Sequence, residues 1–351
     1  MKAWVLHDIN DLRFDTVEEP VIGDDEVLLA VKAAGICGSD IPRVFCTGTY
    51  HYPLIPGHEF AGMVVHTGSN VPRDWLNCRV GVFPLIPCHT CGPCQKKQYE
   101  MCRHYSYLGS RKDGGFAEYA AVPVQNLIAL PKSVSYEEAA MLEPMSVAVH
   151  AMRKIAPLAS ECIVICGLGT IGLFLLMFLI DAGRKNILVI GNKDFQKEKA
   201  VRLGLPEEAY CDSRSQDVDR WLTDRTDGAG ADVFFECVGR NETVSQAVRL
   251  TGAGGRVMLV GNPASDMMLA KDIYWKILRN QLTLSGTWNS TFTHEEEDDW
   301  HYVLKRLEGR QVEPAELITH RFPMENLMDG LELMRDKTQD YGKVMGINRA
   351  K

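Results

Sequence analysis

Apolar and polar positions follow one rhythm in the first third of the chain and another beyond it. Up to about residue 130, short stretches such as EVLLAVKAA and FAEYAAVPV alternate and are broken by Gly, Pro and Asn, which predicts an irregular, mostly β domain. Near residue 160 the alternation stops. From there the apolar runs CIVIC, NILVI, ADVFFECV and GRVMLVG are separated by helical segments, as a parallel sheet with crossover helices requires. The expected fold class is α/β, a mostly β domain together with a doubly wound parallel sheet. The last sixty or so residues begin with STFTHEEEDDWHYVLKRLEG, in which Thr293 is expected to cap a helix with an acidic first turn and with Lys305 and Arg306 further along. That acidic run is read as a solvated helix start and is assigned no function.

Length sharpens this picture, because 351 residues exceed what one core usually supports and two domains are expected. A net charge of -8 argues against a general nucleic-acid binder, which needs a basic face for the phosphates. The longest apolar run, Ile171 to Ile180, holds ten residues, about half of the roughly 20 needed to span a bilayer, and reads as a buried helix. The opening MKAWVLHDINDLRF has no basic region followed by an apolar core, so a cytoplasmic location and no membrane partner are expected.

Eleven cysteines in a reducing compartment point to metal or to small core residues, and their grouping separates the two. Cys46, Cys78, Cys162, Cys166, Cys211 and Cys237 are scattered and expected to be inert. PCHTCGPCQKKQYEMC instead has the form C-x2-C-x2-C-x7-C, in which Cys88, Cys91, Cys94 and Cys102 can meet around one tetrahedral zinc. Four sulfurs close the site, so its role is structural, and neither His89 nor His104 is needed as a ligand. A second set is more dispersed: Cys37 in GICGSD, His58 and Glu59 in PGHEF, and Glu143 in LEPMS. One thiolate with imidazole and carboxylate suits a catalytic zinc with an open position. Singly, each of these residues has an ordinary structural reading.

CIVICGLGTIGLFLLM supplies a strand, then Gly167, Gly169 and Gly172, then a helix opened by Thr170 and Ile171. This is the context in which a G-x-G-x-x-G loop binds a dinucleotide, with pyrophosphate on the helix N-terminus. About 20 residues further on, where a carboxylate would hold the ribose of NAD, the chain reads Gly191, Asn192, Lys193. Without a carboxylate to repel a 2′-phosphate, and with a cation to pair with it, NADP(H) is expected in preference to NAD(H). Asp194 is the alternative, since a strand ending three residues later would bring it to the ribose and restore NAD. Arg214 is read as a solvated loop residue.

GICGSD, PGHEFAG, the four-cysteine lobe, GGFAEY, the LEP segment and GLGTIG, in this order, resemble the zinc-dependent medium-chain dehydrogenases over essentially the whole chain. CGSDIPR, YHYPLIPGHEF and LGSRKDGGFAEY look most like the sugar-alcohol branch, especially its galactitol-1-phosphate 5-dehydrogenases. The resemblance implies a GroES-like catalytic domain over 1–148 and 290–351, with the structural zinc lobe near 88–102, and a Rossmann domain over 149–289. It implies that Cys37, His58 and Glu143 hold a catalytic zinc, with Glu59 either a fourth ligand or exchanging with water. Asp40 would then fix the His58 tautomer. Ser39 would pass on the alcohol proton, unless its hydroxyl is taken by a turn. Many relatives carry a relay histidine where this chain has Pro42, so the proton would leave through His51, which also reads as a surface loop residue, or directly to solvent.

The implied reaction is reversible hydride transfer between NADP(H) and the secondary alcohol or ketone of a polyol phosphate, such as galactitol 1-phosphate and tagatose 6-phosphate. Ser110, Arg111 and Lys112 suit a phosphate, although two basic residues in a Gly-rich loop are common. Arg43, Trp288 and Asn289 are further substrate-side candidates. Two other readings stay open: a dehydrogenase of a free sugar alcohol or simple secondary alcohol, using NAD, and a dinucleotide-binding regulator in which both zincs are structural. By the same resemblance, KILRNQLTLSGTW lies at a subunit contact, and a homodimer or homotetramer is expected.

Overall fold

A computed structural model describes residues 1–263 and 265–348 of the chain. They form two compact units, Met1–Pro144 with Thr291–Lys351, and Met145–Ser290.

The first unit opens with the antiparallel pair β1 (Lys2–Asp8) and β2 (Asp11–Thr16). Next come β3 (Glu26–Ile36), a short helix α1 (Asp40–Pro42), β4 (Glu59–Thr67), β5 (Arg79–Val82) and β6 (Leu85–Ile86). Helix α2 (Gly92–Gln95), β7 (Ser106–Tyr107), β8 (Tyr119–Pro123) and β9 (Leu127–Ala129) follow, then α3 (Tyr136–Ala140) and α4 (Leu142–Ile155). The division between units falls inside α4, four residues earlier than the expected end at 148.

Strand β3 departs from the alternation expected of it, with nine of its eleven residues buried. Helix α3 packs on β3, β4 and β5, so the strand is covered on both faces and behaves as a central strand. A capping box starts α3: Ser135 Oγ accepts from Glu138 N at 3.1 Å and Glu138 Oε2 accepts from Ser135 N at 2.8 Å.

The second unit is a six-stranded parallel sheet built from β10 (Ile163–Cys166), β11 (Ile187–Gly191), β12 (Tyr210–Asp212), β13 (Ala231–Glu236), β14 (Thr251–Leu259) and β15 (Thr283–Gly286). Helices α5 (Thr170–Asp181), α6 (Asp194–Arg202), α7 (Val218–Arg225), α8 (Asn241–Leu250) and α9 (Lys271–Arg279) connect them. The strand order β12-β11-β10-β13-β14-β15 reverses direction between β10 and β13, where doubly wound sheets open a ligand crevice. The long apolar run becomes α5, with every residue from Gly172 to Leu179 buried. Among the described residues no helix is long and apolar enough to cross a membrane.

The chain then returns to the first unit with α10 (Asp299–Glu308), β16 (Ile318–Pro323), α11 (Leu327–Asp336) and β17 (Lys343–Ile347). The expected cap at Thr293 is corrected here. Asp298 caps α10, its Oδ1 accepting from His301 N at 2.8 Å, while its Oδ2 accepts from Thr293 N at 2.9 Å. Aspartate is as good a cap as threonine and sits directly before the helix, so the acidic run 295–297 stays outside it. Strand β17 pairs antiparallel with β3, Val344 opposite Ile36, completing the order β16-β17-β3-β4-β5-β9.

Candidate active site and coenzyme site

The four cysteines of the lobe converge, their sulfurs all within 4.8 Å of one another. Cys91 and Cys94 are 3.5 Å apart, Cys88 and Cys94 3.9 Å, and Cys91 and Cys102 3.9 Å. Zinc–sulfur bonds of about 2.3 Å in a tetrahedron separate the sulfurs by about 3.8 Å, so the donor set fits zinc. Hydrogen bonds from Thr90 lower the Cys88 thiol to about 5, and burial pushes Cys94 up to about 12. Among the described residues the lobe is held by little regular structure: α2, a 3-10 turn at Tyr99–Met101 and the two-residue strands β6 and β7. His89 lies edge-on to the Tyr99 ring instead, centroids 5.3 Å apart.

The dispersed set is assembled by register. Gly35 in β3 faces Glu59 in β4, so Cys37, just past the end of β3, and His58, just before β4, come to the same edge. Cys37, His58 and Glu59 place one donor atom each within 4.8 Å of the others. Glu143 is not gathered into this group. Its Oε1 accepts from the Tyr107 hydroxyl at 3.1 Å, and burial pushes its carboxyl up to about 7. The Tyr107 ring also stands 5.8 Å from that of His58.

Asp40 is fully buried beneath the group, accepting from Cys37 N at 2.9 Å and pairing with Arg43. His58 Nδ1 lies 3.5 Å from Asp40 Oδ1, too far for a good hydrogen bond, and is otherwise unpartnered. Burial disfavours the imidazolium, but Asp40 and the Cys37 sulfur outweigh it and hold the His58 pKa well above its ordinary range. Sulfur, imidazole and carboxylate around a polar atom short of a partner form a donor set that fits a zinc ion. Ser39 starts α1 without any side-chain capping bond, so the turn does not take its hydroxyl. His51 is exposed, its Nε2 3.2 Å from the Arg111 carbonyl oxygen.

Sequence reasoning missed Lys343. It is 2% exposed, its Nζ donates to the Ile36 carbonyl at 2.9 Å, and it forms an ion pair with Glu59. Removing one partner of such a buried pair costs about 3–5 kcal/mol, because the other charge is left uncompensated. Tyr107 was missed too, since nothing in its spacing sets it apart from Tyr105.

The candidate substrate cations differ in their surroundings. Arg43 pairs with Asp40, and Lys112 Nζ lies 3.0 Å from Glu26 Oε1. The Arg111 guanidinium lies over the rings of Tyr50 and Tyr105, 4.2 and 4.3 Å from their centroids, with Nη1 donating to the Tyr105 carbonyl and Nη2 to the Tyr50 hydroxyl. Among the described residues no carboxylate lies within ion-pair reach of Arg111. Ser110 is buried, its carbonyl accepting from Thr49 Oγ1 at 2.8 Å. Trp288 and Asn289 belong to the second unit, Trp288 exposed and Asn289 in the left-handed region with φ +59°.

In the second unit Gly167 turns at φ +94°, and a Cβ on Gly172 would lie 2.0 Å from the Gly167 carbonyl oxygen. Gly169 begins α5 without a capping side chain and has open space around its Cβ position, as the approach of a pyrophosphate needs. Thr170 and Ile171 form the first turn. These features fit a dinucleotide. At the end of β11 the missing carboxylate has a steric explanation: a Cβ on Gly191 would lie 2.3 Å from the Tyr210 hydroxyl, which donates to the Lys193 carbonyl at 3.1 Å. Asn192 and Lys193 follow before α6, where Asp194 is already the first helical residue. Arg214 is exposed, as expected of a loop residue, and pairs with both Asp194 and Asp212.

Residues 23–132 match the alcohol dehydrogenase GroES-like domain and residues 170–308 the zinc-binding dehydrogenase domain. The chain is 33% identical to galactitol 1-phosphate 5-dehydrogenase of Escherichia coli K12, over 86% of this chain and 87% of that enzyme. The crystal structure of galactitol-1-phosphate dehydrogenase from Escherichia coli superposes with TM-score 0.91 at 31% identity, covering 99% of this chain and 100% of that one. A protein described as a zinc-binding dehydrogenase from Sinorhizobium meliloti 1021, bound to NADP, gives TM-score 0.89 at 26% identity, covering 99% and 98%. An alcohol dehydrogenase from Escherichia coli CFT073, complexed with NADH, gives 0.90 at 26% identity, covering 99% of each. The chain therefore belongs to the zinc-binding alcohol and polyol dehydrogenase family, oxidoreductases built from a GroES-like and a Rossmann-like domain.

Proposed function

We propose that this dehydrogenase transfers hydride reversibly between NADP(H) and the secondary alcohol or ketone of a polyol phosphate such as galactitol 1-phosphate. The observation that carries the phosphate is Arg111, a guanidinium held by two tyrosines and facing no carboxylate among the described residues, whereas the charges of Arg43 and Lys112 are already paired. Such a planar cation suits a phosphate. Cys37 and His58, with a carboxylate from Glu59 or Glu143, would hold zinc, which when bound supplies Lewis-acid polarisation of an alcohol oxygen. Asp40 faces His58 Nδ1 and stabilises a positive charge on it, Lys343 restrains Glu59, and the uncapped Ser39 hydroxyl relays the alcohol proton, accepting it while releasing its own to solvent. With Pro42 in place of a relay histidine and His51 turned to a loop carbonyl, solvent is the simpler exit.

The NADP(H) preference rests on Gly191. Tyr210 fills the space a side chain would need there, so no carboxylate can face the ribose without displacing it. Asp194, drawn to Arg214, is a poor substitute. Steady-state rates with galactitol 1-phosphate and galactitol, each with NADP and NAD, test both halves of the reading. The phosphate ester with NADP is expected to dominate, and Arg111→Gln is expected to raise KM for the ester about tenfold, the worth of a charge-assisted hydrogen bond, without changing KM for galactitol. Preference for NAD would return the ribose to Asp194. An equal KM change for both substrates would remove Arg111 from the phosphate and leave the free polyol as substrate.

The chain is also proposed to form a dimer through β15, an edge strand that among the described residues is hydrogen-bonded only to β14. Met267, Met268 and Leu269 before α9 and Tyr274, Trp275 and Leu278 within it, the helix that leads into β15, are exposed, more apolar surface than an unpartnered element usually carries. Sedimentation equilibrium is expected to give a dimer, or a tetramer built from it, and a monomer for Leu278→Glu. A parent protein that sediments as a monomer would refute the contact.

A further inference from the structure

Glu236 is a buried carboxylate with no part in the chemistry above. It ends β13 at 1% exposure, directly beside Cys166, the last residue of β10, at the point where the sheet order reverses. Its Oε1 accepts from Val238 N and Gly239 N, both at 2.9 Å, and from Thr243 Oγ1 at 2.8 Å, while Oε2 accepts from Gly239 N at 3.2 Å. Its own carbonyl accepts from Val260 N at 2.8 Å and Gly261 N at 2.9 Å. One residue thus ties together the two loops that leave β13 and β14.

Those loops are in close contact. A Cβ on Gly239 would lie 2.1 Å from the Asn262 carbonyl oxygen, and one on Gly261 would lie 2.1 Å from Gly239 N. The first loop also abuts the glycine turn, since a Cβ on Gly167 would meet Val238 Cγ2 at 2.5 Å. Burying a carboxylate is costly unless donors surround it, and here backbone N–H groups and one hydroxyl serve instead of a cation. The arrangement makes the two loops rigid at the mouth of the crevice.

A dinucleotide that puts its adenosine ribose at the end of β11 and its pyrophosphate over residues 167–172 continues across the sheet towards β13 and β14. We propose that Glu236 is a positioning residue for the nicotinamide half of the coenzyme, holding the 237–240 and 260–262 loops in the shape that half meets. This rests on the dinucleotide reading of the second unit and assigns Glu236 no contact with the coenzyme. Its removal would leave the adenosine half of the site intact.

The test compares NADPH with 2′,5′-ADP, which carries only the adenosine half, by isothermal titration calorimetry on the parent protein, Glu236→Ala and Thr243→Val. Glu236→Ala is expected to weaken NADPH about tenfold, as ordering the loops is transferred to the binding step, and to leave 2′,5′-ADP within about twofold. Thr243→Val removes one donor from a half-buried position and is expected to give about a twofold to threefold loss of NADPH alone, which keeps the test open should Glu236→Ala fail to fold. Parallel loss of both ligands, or no change in either, would overturn the proposal. A parent protein that binds neither ligand would instead remove the NADP(H) reading on which it rests.

Discussion

Cys37→Ala is expected to lower kcat by about a thousandfold while the melting temperature and the affinity for the coenzyme stay near those of the parent protein. Lewis-acid stabilisation is worth several kcal/mol of transition-state charge, and about 4 kcal/mol corresponds to about a thousandfold in rate. The sulfur lies at the end of β3, in the unit that carries Glu59 and Lys343, whereas the glycine loop belongs to the other unit. The melting temperature is therefore the control for folding of the first unit, and coenzyme affinity measured by titration the control for the second. Retention of turnover would show that the sulfur does not hold the ion that activates substrate, and would favour a regulator with structural metal only.

Cys94→Ser is expected to act on the opposite property, stability without direct loss of chemistry. Structural zinc contributes on the order of 10 kcal/mol of apparent binding free energy in small sites, and the 88–102 segment has a helix of four residues, a 3-10 turn of three and a flanking two-stranded ribbon to fall back on. Bound zinc should fall by one ion per chain, and hydrogen exchange should rise across residues 85–107 far more than in the sheet of β3 and β4. At least about 4 kcal/mol lost from the first unit corresponds to a melting temperature lower by roughly 10 °C. Unchanged metal content with unchanged exchange would mean that the four sulfurs do not share an ion.

What was legible in the chain was legible because it is local. Four cysteines within fifteen residues and three glycines within six close their own loops, so spacing alone brings their atoms together. The central strands of the second unit were equally plain, since a sheet buried on both faces needs unbroken apolar runs. Residues acting across long separations left no such trace. Lys343 meets the carbonyl of Ile36 from 307 positions away, and only the pairing of β17 with β3 brings it there. Tyr210 explains Gly191 through a contact between neighbouring strands, invisible in VIGNKDFQ itself. Thr293 was the cap expected, but the role falls to Asp298, whose oxygen directly precedes the first turn. The alternation in β3 misled for a related reason, as α3 covers a face that the pattern left to solvent.

The pairing of β17 with β3 has a consequence for the order in which the protein is made. A ribosome delivers β3, β4 and the whole of the second unit before it reaches Lys343, so Glu59 is synthesised almost three hundred residues ahead of the ammonium group that neutralises it. The nascent chain can complete the coenzyme-binding sheet while the sheet bearing Cys37 and His58 still lacks β16 and β17 at one edge. The metal-binding edge is thus finished last, by the final strand to emerge.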